Sequence, residues 1–181
     1  YTILRFPSRC TKLEPRYSSD IYKDTGDDEP TVRSYTKNIL KVEMPNTVKK
    51  LGIEAFSGDY GGFYFSSLER VELSKSLSKI ETYAFAGCKN LNDIEIPDNI
   101  VEIGECAFWG CENLYYIEIP DSVSKIGSMA FYGTKTVKIG KIVESSDGLE
   151  RNALSCETLI IRDGVKKLIN CSGDFLNVEI P

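Results

Sequence analysis

Six cysteines, 27 acidic residues and no histidine define the chemistry open to this chain of 181 residues. Without histidine, the Ser-His and Cys-His pairings that activate nucleophiles are missing, as is the commonest general base. There is no Cys-x-x-Cys pair, so zinc sites of ordinary composition lack their ligands. No glycine motif of the Walker or dinucleotide type is available to cradle a phosphate. Carboxylate pairs remain, yet no spacing sets two of them across a pocket. Catalytic, metal and cofactor sites are therefore not expected, and the chain does not read as an enzyme. The acidic stretch Tyr17 to Lys37, with Asp20, Asp24, Asp27, Asp28 and Glu29, reads as a loop excursion. A calcium loop is the lesser alternative there, since the spacing and closing glutamate of an EF-hand are absent.

The elements that position these groups come from a repeat. Leu68, Leu91 and Leu114 are each 23 residues apart, and the same interval separates Phe85, Phe108 and Phe131. Ala84, Ala107 and Ala130 repeat beside the phenylalanines, with Ile80, Ile103 and Ile126, and Leu77, Ile100 and Val123, as further columns. A unit this short cannot bury its own apolar face, so the columns must stack into a solenoid. Val71 with Leu73, Ile94 with Ile96 and Ile117 with Ile119 are apolar at i and i+2, which predicts one short half-buried strand per coil. Pro97 and Pro120 end the strand by removing a donor. Gly104 and Gly127 mark a turn into the Ala-Phe segment, and Gly87, Gly110 and Gly133 close it in a left-handed conformation.

Stacking also decides the cysteines. Cys88 and Cys111 are 23 residues apart, so they occupy one slot of adjacent coils with parallel side chains. Their Cα atoms would lie ~4.8 Å apart, within disulfide range, but the Cβ atoms would have to turn toward each other. Cys10 falls in the Val123 slot, and Cys106 and Cys171 in the Met129 slot, all read as core. Free, stacked thiols are expected rather than bridges.

On the outward face of the strands, Lys41 and Glu43, Arg70 and Glu72, Asp93 and Glu95, Tyr116 and Glu118, and Thr136 and Lys138 follow one another. Thr158 with Ile160 and Asn177 with Glu179 continue the series. Glu43, Glu72, Glu95 and Glu118 form a ladder of like charge with rungs ~4.8 Å apart, each neighbouring pair repelling by ~1 kcal/mol in water, which Lys41, Arg70 and Lys138 offset in part. Two readings fit it: a solvated face copied by duplication, or recognition of a basic partner patch or a cation. Asp59 to Phe65 is a six-residue insertion, because Phe56 to Phe85 spans 29 residues instead of 23. Its rings, Tyr60, Phe63, Tyr64 and Phe65, either fold back over the coil edge or form a contact loop for protein or glycan. Trp109 and Tyr132, also 23 apart, are expected to stack on the convex or edge surface.

The unit Leu-x-x-Ile-x-Ile-Pro-x-x-Val-x-x-Ile-Gly-x-x-Ala-Phe-x-x-Cys resembles leucine-rich repeats of the BspA-like, or treponemal, type. The resemblance is strong from Leu40 to Gly133, and strand cores can be followed outside it. The second apolar residue of each strand gives Phe6, Met44, Leu73, Ile96, Ile119, Ile139, Ile161 and Ile180, hence about eight coils. The expected fold is a β-rich repeat solenoid with short helical or 3-10 turns, a right-handed leucine-rich-repeat superhelix. It forms a single domain over 1–181, regular at about 68–133, with longer irregular coils over 1–67 and shorter degenerate ones over 134–181. In such solenoids the strand face is concave. The resemblance implies a cell-surface or secreted binding protein adhering to host protein or matrix, with a structural spacer as the alternative. A net charge of -5 without a basic cluster argues against nucleic acid or anionic membrane as partner. No apolar run reaches the length of a membrane span, and no leader pattern opens the sequence, which reads as a mature or trimmed fragment.

Overall fold

A computed structural model describes residues 2–13, 38–58, 65–140, 149–164 and 175–180. The strand alternation anticipated from the sequence runs through β1 (Thr2–Arg5), β3 (Ile39–Glu43), β5 (Arg70–Glu72) and β7 (Asp93–Ile94). It continues in β9 (Ile117–Glu118), β11 (Thr134–Ile139), β12 (Cys156–Ile161) and β13 (Asn177–Glu179). All pair in parallel with strands of adjacent coils, in two four-stranded sheets ordered β1-β3-β5-β7 and β9-β11-β12-β13. In-register partners such as Val42 with Val71 and Val71 with Ile94 turn inward and are buried.

One strand per coil proves too few. After the Pro or Ser turn, each of the first five coils adds a two-residue strand: β2 (Lys12–Leu13), β4 (Lys50–Leu51), β6 (Lys79–Ile80), β8 (Glu102–Ile103) and β10 (Lys125–Ile126). These pair as β2-β4 and β6-β8-β10. A two-residue strand leaves no period-2 trace, and only coil-to-coil stacking supplies its partner. The Ala-Phe segments contain successive i→i−3 hydrogen bonds, as from Trp109 N to Cys106 O (3.1 Å) and from Cys111 N to Phe108 O (3.2 Å). The alternate donors reach the next coil: Phe85 N bonds Ala107 O and Phe108 N bonds Ala130 O, both at 2.8 Å. The turn thereby serves as a third ladder.

The core is the set of columns. Phe56, Phe85, Phe108 and Phe131 stack face to face with centroids 5.4–5.6 Å apart. Phe65 packs edge-on against Phe56 at 5.1 Å and is buried. Gly104 and Gly127 are needed less for turning than for proximity. A Cβ on Gly127 would lie 2.5 Å from Glu105 N, and one on Gly104 would lie 2.5 Å from Thr82 N. Gly87, Gly110 and Gly133 have φ of 72°, 71° and 86°, as their closing role requires.

The Met129 slot corrects the sequence reading. Glu54, Tyr83, Cys106, Met129 and Asn152 all have φ between 51° and 59°, so a left-handed non-glycine residue recurs in five successive coils. The slot is a bend and not a core position: Met129 is 40% exposed, although Cys106 is buried. Cys10 is only partly buried against the core. Cys171 lies outside the described residues. Val178 and Ile180, expected in the core, are 48% and 66% exposed because no described coil lies over β13. Cys10, Cys88, Cys106, Cys111 and Cys156 are not joined in disulfides. Cys88 and Cys111 do not face each other; their thiols donate to Phe56 O (2.9 Å) and Phe85 O (3.2 Å) of the preceding coils.

Phe108→Ala opens a cavity in the middle of the ring stack and is expected to cost ~3–5 kcal/mol, read as a lowered urea midpoint. A loss below ~1 kcal/mol would contradict burial of the ring. Met129→Gly removes a strained left-handed side chain from a residue that is 40% exposed, and should stabilise the fold by ~0.5–1 kcal/mol, read as a raised urea midpoint. A lowered midpoint would show that Met129 packing outweighs the strain. Burial pushes the Cys156 thiol up to about 12 and also raises the Cys111 thiol, disfavouring thiolate in both at pH near 8. A thiol reagent should leave Cys88, Cys111 and Cys156 unmodified in the native protein, and should titrate all six cysteines after denaturation without reductant.

Candidate interaction face

Residues between the inward apolar positions of the long strands come to one face. Lys41, Arg70 and Asp93 lie in one row across β3, β5 and β7. Glu43 and Glu72 share the next row. On the second sheet Glu118 pairs with Lys138 in register, and Lys138 with Ile160 and Ile160 with Glu179. Of the sequence-predicted residues, Glu43, Arg70, Glu72, Asp93, Glu95, Tyr116, Glu118 and Lys138 are brought to this face. Phe65 is not a contact residue, because it is buried as the edge-on neighbour of Phe56. Tyr60, Phe63 and Tyr64 lie outside the described residues, as does the acidic stretch Tyr17 to Lys37.

Cations sit between rungs of the glutamate ladder, with Arg5 and Arg162 joining the expected Lys41, Arg70 and Lys138. Lys41 Nζ bridges Glu43 Oε1 and Glu72 Oε1, 2.7 Å from each. Arg5 Nε approaches Glu43 Oε2 at 2.5 Å. Hydrogen bonds from Lys41 and Arg5 therefore hold the Glu43 carboxyl below the usual carboxylate range, and bonds to Glu43 and Glu72 raise the Lys41 ammonium. Arg70 pairs with Asp93 at 3.0 Å. Glu118 receives Lys138 at 3.5 Å, Arg162 at 3.7 Å and the Tyr116 hydroxyl at 3.0 Å. Desolvation, followed by that bond to Glu118, raises the Tyr116 phenol. All these groups are partly solvated, so each pair contributes at most ~1 kcal/mol and organises the face more than it stabilises the fold. Glu95 differs: among the described residues its carboxylate makes neither ion pair nor hydrogen bond.

The ladder is also interrupted. β7 and β9 are not paired in one sheet, and Tyr115 N bonds Asn113 O of its own coil (3.0 Å). Behind this opening the coils remain closed, with Ile103 paired to Ile126 and the Phe108 and Phe131 rings 5.4 Å apart. The ties of β9 run the other way: Ile119 N donates to Lys138 O at 2.8 Å, and Arg162 Nη2 donates to Ile119 O at 2.5 Å. Arg162 reaches Ile119 and Asp121 by passing over Gly140, where a Cβ would meet Asp121 Oδ1 at 2.3 Å and Arg162 Nη2 at 2.9 Å. The result is a cleft of about 630 Å³ between the two sheets, rimmed by Glu95, Asp98, Tyr116, Glu118, Asp121 and Arg162.

Sequence reasoning missed Arg162, Asp98, Asp121 and the bridging of Arg5. The available signal was Gly140, which stands where Pro97 and Pro120 stand in earlier coils; it says that something crosses there, without saying what. Trp109 and Tyr132 stack 6.5 Å apart, as the shared slot implied. Among the described residues no three of Cys, Asp and Glu gather closely enough to hold a metal ion. No helix among them is long and apolar enough to cross a membrane.

Comparisons with known proteins agree with this architecture. No curated protein matches the sequence. A leucine rich cell surface protein from Faecalibacterium prausnitzii is similar in structure, with TM-score 0.59 and 27% identity, over 77% of this chain and 32% of that one. The chain thus spans about a third of that relative's length. The leucine-rich repeat protein of T. pallidum matches with TM-score 0.61 and 23% identity, over 87% of this chain and 68% of the other. The pneumococcal vaccine antigen PcpA gives 0.64 and 18%, over 100% of this chain and 42% of its own. At those last two identities the likeness shows the fold alone. The family model for a BspA type leucine rich repeat region matches residues 59–170, well over half the chain, and this protein belongs to that family.

Proposed function

We propose that this chain is a non-enzymatic protein-binding module of a cell-surface or secreted leucine-rich-repeat protein, a single domain that adheres to host protein or matrix through the outward face of its long strands. The observation that carries the reading is the concentration of charged and aromatic side chains on that one face. Glu72, Asp93, Tyr116 and Glu118 are exposed there, over a scaffold whose repeating apolar positions are spent on packing. The family is generally a binding scaffold, and the F. prausnitzii relative is described as a cell surface protein. A structural spacer is the competing reading, and it requires no ligand at all. Glycan as a partner rests on exposed aromatic rings such as Tyr115, Tyr116 and Tyr132.

The purified chain should bind saturably to cultured epithelial cells or to a basement-membrane extract. Glu72→Lys together with Glu118→Lys is expected to weaken that binding about tenfold and in a salt-dependent manner. Glu112→Lys, on a turn away from the strand face, should leave it unchanged. Absence of saturable binding would favour the spacer. If the face variants are silent and deletion of residues 61–64 abolishes binding, the aromatic insertion is the recognition element instead.

A further inference from the structure

We propose that the turns after the first three long strands form a binding surface for a sulfated polysaccharide; this goes beyond the protein-binding reading above, which rests on the strand face. Residues 7–13, 45–51 and 74–80 comprise these turns and the short strands β2, β4 and β6. They carry six cations, Arg9, Lys12, Lys49, Lys50, Lys75 and Lys79, and not one acidic residue. The equivalent segment of the next coil, 97–103, reverses the sign with Asp98 and Glu102. Along the chain the six are dispersed over three coils, and only stacking gathers them, in a molecule whose net charge is -5. The stacking is close: Lys12 and Lys50 are in register, Lys49 N donates to Thr11 O (2.9 Å), Ser74 Oγ to Val48 O (2.6 Å) and Lys75 N to Asn46 Oδ1 (2.9 Å). The three turns thus form one continuous basic edge.

The second observation is where unneutralised charge lies. Lys41, Lys79, Lys89, Lys125, Lys135 and Lys138 each pair with a carboxylate. Lys49, Lys50 and Lys75 make no ion pair among the described residues, and all three are exposed on this edge. Lys50 also stands directly opposite Lys12, an arrangement of like charges that opposes folding and that an anion bound across the two coils would relieve. Neighbouring groups specify the anion. Rungs of adjacent coils are ~4.8 Å apart, so the cations follow one another along the stacking axis and suit a linear chain with several anionic groups. Exposed Asn46, Thr47, Ser76 and Ser78 lie among the lysines and can hydrogen-bond sugar hydroxyls. Single-stranded nucleic acid is held by stacking bases on aromatic rings, and these three segments contain none. Asp98 and Glu102 bound the edge and repel a long duplex laid along it.

The test uses the full chain and a fluorescein-labelled heparin oligosaccharide, followed by fluorescence anisotropy, with the desulfated oligosaccharide and a single-stranded oligonucleotide of equal charge as competitors. Heparin should bind in a salt-dependent manner, and neither competitor should displace it. Lys49→Gln with Lys50→Gln and Lys75→Gln should weaken binding about tenfold. Lys89→Gln with Lys135→Gln and Arg151→Gln makes the same change in net charge elsewhere and should have no effect. The thermal midpoint of the first triple variant should be unchanged or raised, since Lys50→Gln relieves the repulsion from Lys12. Amide chemical shifts of the unsubstituted chain, a readout independent of any variant, should move in 46–50 and 75–79 on titration with heparin. Failure of heparin to bind overturns the proposal, as do shifts confined to other residues and equal weakening by the two charge-matched triples, which would reduce the attraction to net charge. Displacement by the oligonucleotide as effective as by unlabelled heparin overturns the assignment to a sulfated polysaccharide. Heparin binding and the cell and matrix binding of the strand-face variants are separate readouts, so either reading can fail alone.

Discussion

Contact between each coil and the next is the constraint on which everything else in this protein depends. A single coil has two short strands and a turn whose alternate N–H groups point out of its own plane. Only a neighbouring coil supplies the carbonyls they need, as Ala107 does for Phe85 and Ala130 for Phe108. The stacked phenylalanines supply the apolar counterpart: fully burying a ring contributes ~1.5–3 kcal/mol, and ring-ring geometry adds ~0.5–1.5. By comparison, the exposed ion pairs of the strand face are worth ~0–1 kcal/mol each. Stability therefore resides in the columns, and the face is comparatively free to vary.

That division of labour explains two oddities of the backbone. Left-handed residues that are not glycine recur at Tyr83, Cys106 and Met129, a conformation costing ~1 kcal/mol or more per residue. They persist because the turn before them brings Gly104 and Gly127 against the backbone of the preceding coil, and the close approach fixes the path of the chain. Strain at one position is thus outweighed by hydrogen bonds and packing gained along the whole coil.

The strand face combines repetition with a local departure from it. Interleaved cations turn a column of glutamates into a lattice of alternating charge through Arg5, Lys41, Arg70 and Lys138. Where Arg162 crosses Gly140 to hold Ile119 and Asp121, β9 is tied to the coils that follow it and is not paired with β7 before it. One residue without a side chain thereby permits a long-range contact that accompanies a break in the sheet.

Periodicity in the sequence was enough to determine the stacked columns, the parallel strands, the closing glycines and which side chains face outward. A spacing of 23 residues puts equivalent side chains one above another whatever their identity. It was silent on the short second strands, since two residues cannot display a period. It misassigned the Met129 slot, because apolar identity does not distinguish a buried position from a left-handed bend. It identified Lys41, Arg70 and Lys138 as offsets to the glutamate ladder but not Arg5 or Arg162, which lie outside the repeating positions and reach Glu43 and Glu118 across strands. The cleft and the reach of Arg162 were decided only in three dimensions. A guanidinium at 162 meets a carbonyl at 119 through the absence of a side chain at 140, and that coincidence of distances has no repeat to announce it.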